Sequence, residues 1–302
     1  MNLKQALKEK WYGQGFNATP IMIGSAAFCC DIMERNLGFS YTKYLYDFRN
    51  DFGDMSYYFP DLKRLGKILE NKLKENPEYF QNIKSIYDRH MEESAEFYNK
   101  IEKTDLRKVS EQELIDLLKK ASERISYSVG VSHIIEPFVL TTDIKIKKEL
   151  QKYVKDKSEL NRIFTILMAP VKESFVNRYE NALRNIKTKK DIENVKKEFF
   201  WIRNGYAGRH ILTDEDIKEE LESIKKKKPM DLKKMAEEKN KIIDRLNLPD
   251  DLIRKIKATE FLTYWQDERK MHIIMAVDYA DRILEELAER IGFDIKYLRQ
   301  ML

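Results

Sequence analysis

Cysteine is nearly absent from this chain. Its 302 residues hold two, Cys29 and Cys30. Sequence neighbours rarely bridge each other, so no internal disulfide framework is expected and a reducing, cytoplasmic location is the default. Two adjacent thiols and four scattered histidines give no zinc spacing, and no metal site is expected. Glycine and proline are scarce, at 10 and 7, which predicts long helices joined by short turns. No run of about 18 apolar residues occurs, so no membrane-spanning helix is expected. The N-terminal stretch MNLKQALKEKWYGQG is charged and lacks the apolar core of a signal peptide. Charge of one sign is missing too. The net charge of +5 is the difference between 56 basic and 51 acidic residues, interleaved along the chain. That pattern argues against a nucleic-acid surface, and neither nucleic acid nor membrane is expected as a partner.

Several catalytic signatures are also missing. There is no Walker A sequence, no G-x-G-x-x-G and no G-x-S-x-G elbow. The DFG at 51–53 lacks the glycine-rich strand, lysine and HRD-type loop of protein kinases. SVGVSH, ending at His133, has one glycine where a phosphohistidine loop uses a pair. Its flanks are apolar and periodic, so His133 reads as a helix-face histidine. The KKKK run at 225–228 reads as a solvated helix end that complements the helix dipole.

What is present is helical rhythm. From Pro249 to Gly292, apolar residues recur at helical spacing, among them Leu252, Ile256, Leu262, Trp265, Ile273, Ala280, Ile283 and Leu287. Pro249 with Asp250 and Asp251 suits a helix start, and Gly292 suits a stop. Such a helix is about 60 Å long and can serve as the spine of a domain. Amphipathic segments over 61–76, 77–101 and from 110 to about 135 precede it. Ser110 and Glu113 form a capping box at the start of the third, and Pro137 breaks or kinks its end. Shorter helices are expected at 143–155, 158–168, 173–186, from Lys189, over DEDIKEELESIKKKK, at 231–246 and at 294–302. No strong strand pattern competes. The reading is an all-α, elongated multi-helix domain built on one long C-terminal helix. An irregular, aromatic-rich N-terminal lobe covers 1–60 and a helical domain 61–302, the two forming one continuous unit. Trp11 to Pro20 reads as a loop, and Ile21 to Met33 as a buried helix.

Two clusters stand out as candidate chemistry. FFWIRNGYAGRH places Arg203, Tyr206, Arg209 and His210 near a glycine-loosened turn, a set suited to holding a phosphate or carboxylate. The competing reading makes the aromatics core and the cations helix caps. On the spine, Glu260, Tyr264 and Asp267 share one face, while Trp265, Arg269 and His272 share a neighbouring one, with Lys270 beside them. This polar waist reads either as an internal ion-pair network or as a ligand site. The aromatic segment containing Arg49, Asn50, Asp51, Gly53 and Asp54 is a further candidate pocket lining.

Taken in order, DLKRLGKILENKLKENPEYFQNIKSIYD, LMAPVKESFVNRYENALRNI, EFFWIRNGYAGRHILTDEDI and the YWQDERK spine resemble the α-helical central region of phosphoenolpyruvate-utilising phosphotransferase-like proteins. That family includes phosphoenolpyruvate synthase and the rifampicin phosphotransferases. The resemblance spans most of 10–302. It implies an acceptor-binding part that works with an ATP-grasp protein and with a swivelling domain carrying a T-x-G-G-x-x-S-H phosphohistidine loop. Both are missing from this sequence. ATP and Mg2+ then enter only through a partner, and this chain binds no cofactor alone. Under this reading Arg203, Arg209, Arg269 and Lys270 face the anionic phosphoryl group or the acceptor. Tyr206, Trp265, Asp267 and Arg49 line the small-molecule acceptor site. His210, His272 or Glu260 takes the acceptor proton. Two alternatives remain open: a self-sufficient enzyme or binder of a hydrophobic or aromatic metabolite, and a non-catalytic helical adaptor.

Overall fold

The computed structural model describes residues 8–49 and 52–301, so Asn50 and Asp51 of the candidate lining lie outside the described residues. The chain is predominantly helical, as the periodicity predicts. In order the elements are β1 (Trp11–Asn17), α1 (Pro20–Ala27), α2 (Cys29–Leu37), β2 (Tyr44–Arg49), β3 (Phe52–Tyr58), α3 (Phe59–Glu75) and α4 (Tyr79–Glu102). Then come α5 (Glu111–Val129), α6 (Ile135–Leu150), α7 (Lys157–Met168), α8 (Phe175–Arg184) and α9 (Lys189–Glu198). The last four are α10 (Asp214–Lys225), α11 (Leu232–Leu246), α12 (Asp250–Ile291) and α13 (Ile295–Leu298). Short 3-10 turns occupy Leu106–Lys108 and Gly130–Ile134.

The spine is α12, with 42 residues. Pro249 precedes it, two aspartates sit in its first turn, and Gly292 ends it at φ 64°. Four apolar cores gather along its length. Leu252 and Ile256 join α6, α7 and α11. Ala258, Leu262 and Trp265 join α3, α4 and the sheet. Ile273 to Ile283 join α1 and α5. Ile274 joins α8 and α10. Trp265 is fully enclosed, and burying a large apolar side chain of that kind contributes about 2–3 kcal/mol.

The N-terminal segment departs from the expectation of an irregular lobe. Its strands form one antiparallel sheet in the order β1-β3-β2, with Trp11 opposite Tyr58 and Tyr44 opposite Tyr57. Tyr44, Tyr46 and Phe48 alternate with exposed Leu45, Asp47 and Arg49, which is the period of a half-buried strand. The expected loop at Trp11 to Pro20 is therefore mostly strand β1. Its two glycines lower strand propensity, and pairing with β3 overrides them. The expected helix over Ile21 to Met33 is two helices that meet at Phe28. Met55 and Tyr57 share a core with α3, α4 and the spine, so the sheet is packed into the helical body.

The capping box at Ser110 and Glu113 forms, and a further one at Thr188 and Asp191 opens α9. The helix from Ser110 ends at Val129, short of the expected Ile135. Pro137 lies in the first turn of α6, where its missing N–H costs no helical bond, so α6 begins before it and runs to Leu150. Helix α9 stops at Glu198, which leaves FFWIRNGYAGRH as an irregular segment held against the spine.

Candidate functional site

The 3-10 turn between α5 and α6 carries the central groups of the site. Gly130 has φ 23° and ψ −128°, a conformation that side-chain-bearing residues rarely adopt, and it turns the chain sharply at the end of α5. His133 then sits 2% exposed and Glu136 4% exposed, one helical step apart. From the spine, Arg269 reaches them. Its two terminal nitrogens grip the two oxygens of Glu136, Nη1 at 3.1 Å from Oε2 and Nη2 in close contact with Oε1. Nη1 also donates to the Ser132 carbonyl at 3.3 Å. Tyr41, just before β2, and Tyr57 of β3 close the cluster. The Tyr41 hydroxyl donates to the His133 carbonyl at 2.9 Å, and the Tyr57 hydroxyl lies 3.5 Å from His133 Nδ1. The rings of Tyr41, Tyr44 and Tyr57 stand edge-on or tilted around the imidazole.

Electrostatics fix the charge states here. Burial alone opposes ionisation of Glu136, but the guanidinium of Arg269 and the imidazole of His133 outweigh it and hold the carboxyl well below its usual range. For Arg269, burial opposes the charge and Glu136 overcomes that, so its pKa is raised further. Burial pushes the His133 imidazole below its usual value despite Glu136, which keeps it neutral at pH 7. Glu136 Oε2 lies 3.4 Å from His133 Nδ1. An ionised carboxylate at that nitrogen favours the tautomer with the proton on Nδ1, which leaves the Nε2 lone pair free. Among the described residues, none hydrogen-bonds to Nε2.

This cluster forms the floor of a cavity of about 500 Å³. Phe16 of β1, Met55 of β3, Met22 and Ile23 of α1, Val129 of α5 and Ile273 of the spine supply apolar walls. Tyr206, Ser174 and Pro170 line it from two loops, and Thr263, Gln266, Asp267 and Lys270 line it from the spine. The volume and the mix of apolar wall with a few convergent polar groups are those of a small-molecule site.

Four of the residues singled out from the sequence meet in this cavity: Tyr206, Asp267, Arg269 and Lys270. Tyr206 packs edge-on against Phe16, and its carbonyl accepts from the Thr19 amide at 3.3 Å, which ties its loop to the sheet. Asp267 accepts from the Phe175 amide at 3.1 Å. Lys270 is exposed at the rim. Glu260 lies outside the cavity lining. It accepts from the Val171 amide at 3.1 Å and pairs with buried Lys239 at 2.8 Å, so it clamps the loop that carries Pro170. Trp265 is core, in contact with Tyr87 and Phe261.

The other positions lie elsewhere, and Arg203 and Arg209 do not line this cavity. Arg203 binds Asp216 and approaches Glu220 at 3.8 Å. With Lys270 it lines a separate, smaller hollow of about 320 Å³ between α8, α10 and the spine. Arg209 pairs with Asp278 at 3.1 Å and Glu285 at 2.8 Å. His210 is exposed with Nε2 3.3 Å from Asp216. His272 faces Tyr87, and burial lowers its pKa to about 4. Arg49 is exposed and pairs with Asp47 at 3.3 Å. In each case a nearer acidic or aromatic neighbour claims the side chain.

His133 and Glu136 escape a reading of the sequence because the run SVGVSHIIEPFVL has the pattern of a helix face. The signal within it is one histidine and one glutamate at spacing three, between a glycine and a proline. Buried groups of that kind need partners. Among the described residues no three His, Cys, Asp or Glu side chains converge as metal ligands. Compared with family models, curated proteins and solved structures, the chain matches none.

Proposed function

We propose that this chain binds a small organic acceptor in the 500 Å³ cavity and serves as the acceptor-binding part of a phosphoryl-transfer assembly. The phosphohistidine domain of that assembly arrives from another polypeptide. The observation that carries the reading is a buried imidazole in the cavity lining, backed by a carboxylate on one nitrogen and unpartnered on the other among the described residues. That is the arrangement of a general base. In the transfer, the acceptor oxygen bonds to phosphorus while the donor's phosphorus–nitrogen bond breaks. The acceptor proton passes to Nε2 of His133. Glu136 stabilises the resulting imidazolium, and Lys270 at the rim faces the negative charge of the phosphoryl oxygens. The base is then His133, in place of His210, His272 or Glu260. The family resemblance supplies the donor; the site supplies the acceptor pocket and the base.

The test is reconstitution. Proteins that co-purify with the chain from its native source are identified, and those with ATP-grasp or phosphohistidine signatures are recombined with it, ATP and Mg2+. The expected result is ATP consumption that depends on a metabolite extract, lost by at least about a hundredfold in His133→Leu. If no such partner is recovered, or if the variant retains full activity, the transfer assignment fails. A second reading, a self-sufficient enzyme, draws on the same His133–Glu136 pair, and turnover of a metabolite by the purified chain without nucleotide would favour it.

A further inference from the structure

The end of the ligand that meets the cavity floor can be read from which donors and acceptors there are already committed. This step rests on the cavity being the ligand site and is independent of phosphoryl transfer. Among the described residues, Arg269 is the one cation on the floor, and its terminal nitrogens face the two oxygens of Glu136 and the Ser132 carbonyl. The pair is buried and its charges cancel, so an incoming anion gains no net positive charge there and lies beside the Glu136 carboxylate. An incoming cation meets the mirror-image problem with Arg269. At the floor each would lose hydration against a pair whose charges already cancel, and that loss dominates in a buried site; Asp267, the other carboxylate of the lining, is engaged by the Phe175 amide. The neighbouring Nδ1 of His133 is turned to Glu136 and Tyr57. What the floor still lacks is a donor for Nε2. The walls combine carbon and sulfur, from Phe16, Met22, Ile23, Met55 and Val129, with uncharged polar groups from Gln14, Ser174, Thr263 and Gln266. The two methionines suit irregular apolar shapes. The other cation of the lining, Lys270, stands at the exposed rim and is hydrated there.

We infer that the cavity selects an uncharged, largely apolar molecule that presents a single O–H or N–H donor to Nε2 of His133. The donor is what the floor reads. The apolar body supplies affinity by displacing water from the walls.

Matched probes test this on the full chain at pH 7.5 by calorimetry or fluorescence displacement. Naphthol carries the donor, naphthalene lacks it, naphthol methyl ether keeps the oxygen without the proton, and naphthoate carries a charge. Naphthol is expected to bind roughly five- to tenfold tighter than naphthalene or the methyl ether, the ratio for one neutral hydrogen bond, with naphthoate the weakest. In His133→Leu the advantage of naphthol disappears while naphthalene still binds. Naphthoate as the tightest probe, equal affinity for naphthol and its methyl ether, or no binding at millimolar probe would each overturn the inference. The methyl-ether comparison needs no variant, so a folding defect in His133→Leu leaves the test intact. A chain that ranks the probes as expected but transfers no phosphoryl group retains this inference and loses the transfer step. Transfer to a charged acceptor would overturn this inference and leave the transfer step standing.

Discussion

Arg269 of the spine and Arg203 of the segment after α9 each grip a carboxylate with a histidine nearby. Around Arg269, the carboxylate of Glu136 and the ring of His133 are buried in the lining of a cavity, and one ring nitrogen has no hydrogen-bond partner among the described residues. Around Arg203, Asp216 also serves the amide and hydroxyl of Thr213 as the helix cap of α10, and His210 points its Nε2 at the same carboxylate in solvent. The functional groups are the same: a guanidinium, a carboxylate and an imidazole. One set is desolvated with a free acceptor, and the other is a solvated brace for a helix start. An arginine–carboxylate–histidine cluster thus becomes a candidate site through what it leaves unpaired.

The largest expected effect comes from breaking the buried pair. Glu136→Leu strands Arg269 without a counter-charge and is expected to cost about 3–5 kcal/mol, read from denaturant unfolding. The double variant Glu136→Leu/Arg269→Met recovers most of that loss if desolvation is the cause; a double variant as unstable as the single would point to lost packing. Next in size is Gly208→Ala. Gly208 has φ 138°, and a Cβ there would stand 2.7 Å from Cζ of Arg299 and 2.8 Å from Oδ2 of Asp281. A loss of about 1–3 kcal/mol is expected, and a neutral result would mean that the Arg209 loop relaxes freely.

The pH dependence follows from the buried histidines. Burial lowers the native pKa of His272 from 6.5 to about 4, and that of His133 moves in the same direction. Below pH 6.5 the unfolded chain takes up protons that the native histidines refuse, so stability falls as pH drops from 6.5 toward about 4. His272→Phe should flatten the slope of unfolding free energy against pH over that window, and an unchanged slope would show that His272 titrates normally. The smallest effect belongs to the solvated cluster. Arg203→Ala, with its side chain 34% exposed, is expected to cost about 1 kcal/mol or less and to leave probe binding in the larger cavity unchanged. A large loss of either kind would erase the distinction between the two clusters.

Legibility differed between fold and site. The spine, its caps and most helices were readable because their determinants lie within a few residues of one another. Pro249 and Gly292 mark the ends of α12, and Ser110 with Glu113 opens α5. The sheet was harder, since Gly13 and Gly15 mask β1 until β3 lies beside it. Of the site, Tyr206, Asp267, Arg269 and Lys270 were legible as polar residues set into apolar helical or aromatic context. His133 and Glu136 were not, because inside one helix face they look like isolated exceptions. Arg203, Arg209 and His210 were equally conspicuous in the sequence, and in the structure they brace the fold.

The amino-acid sequence alone determined a long-helix protein with a 42-residue spine and a charged surface, because helix periodicity and capping are local. Only the tertiary structure decided which of its many charges pair. Glu136 and Arg269 are 133 residues apart, and their contact requires α5, α6, the sheet and the spine to be packed together. Pairing depends on distance and desolvation in three dimensions, and neither is encoded at any single position of the chain.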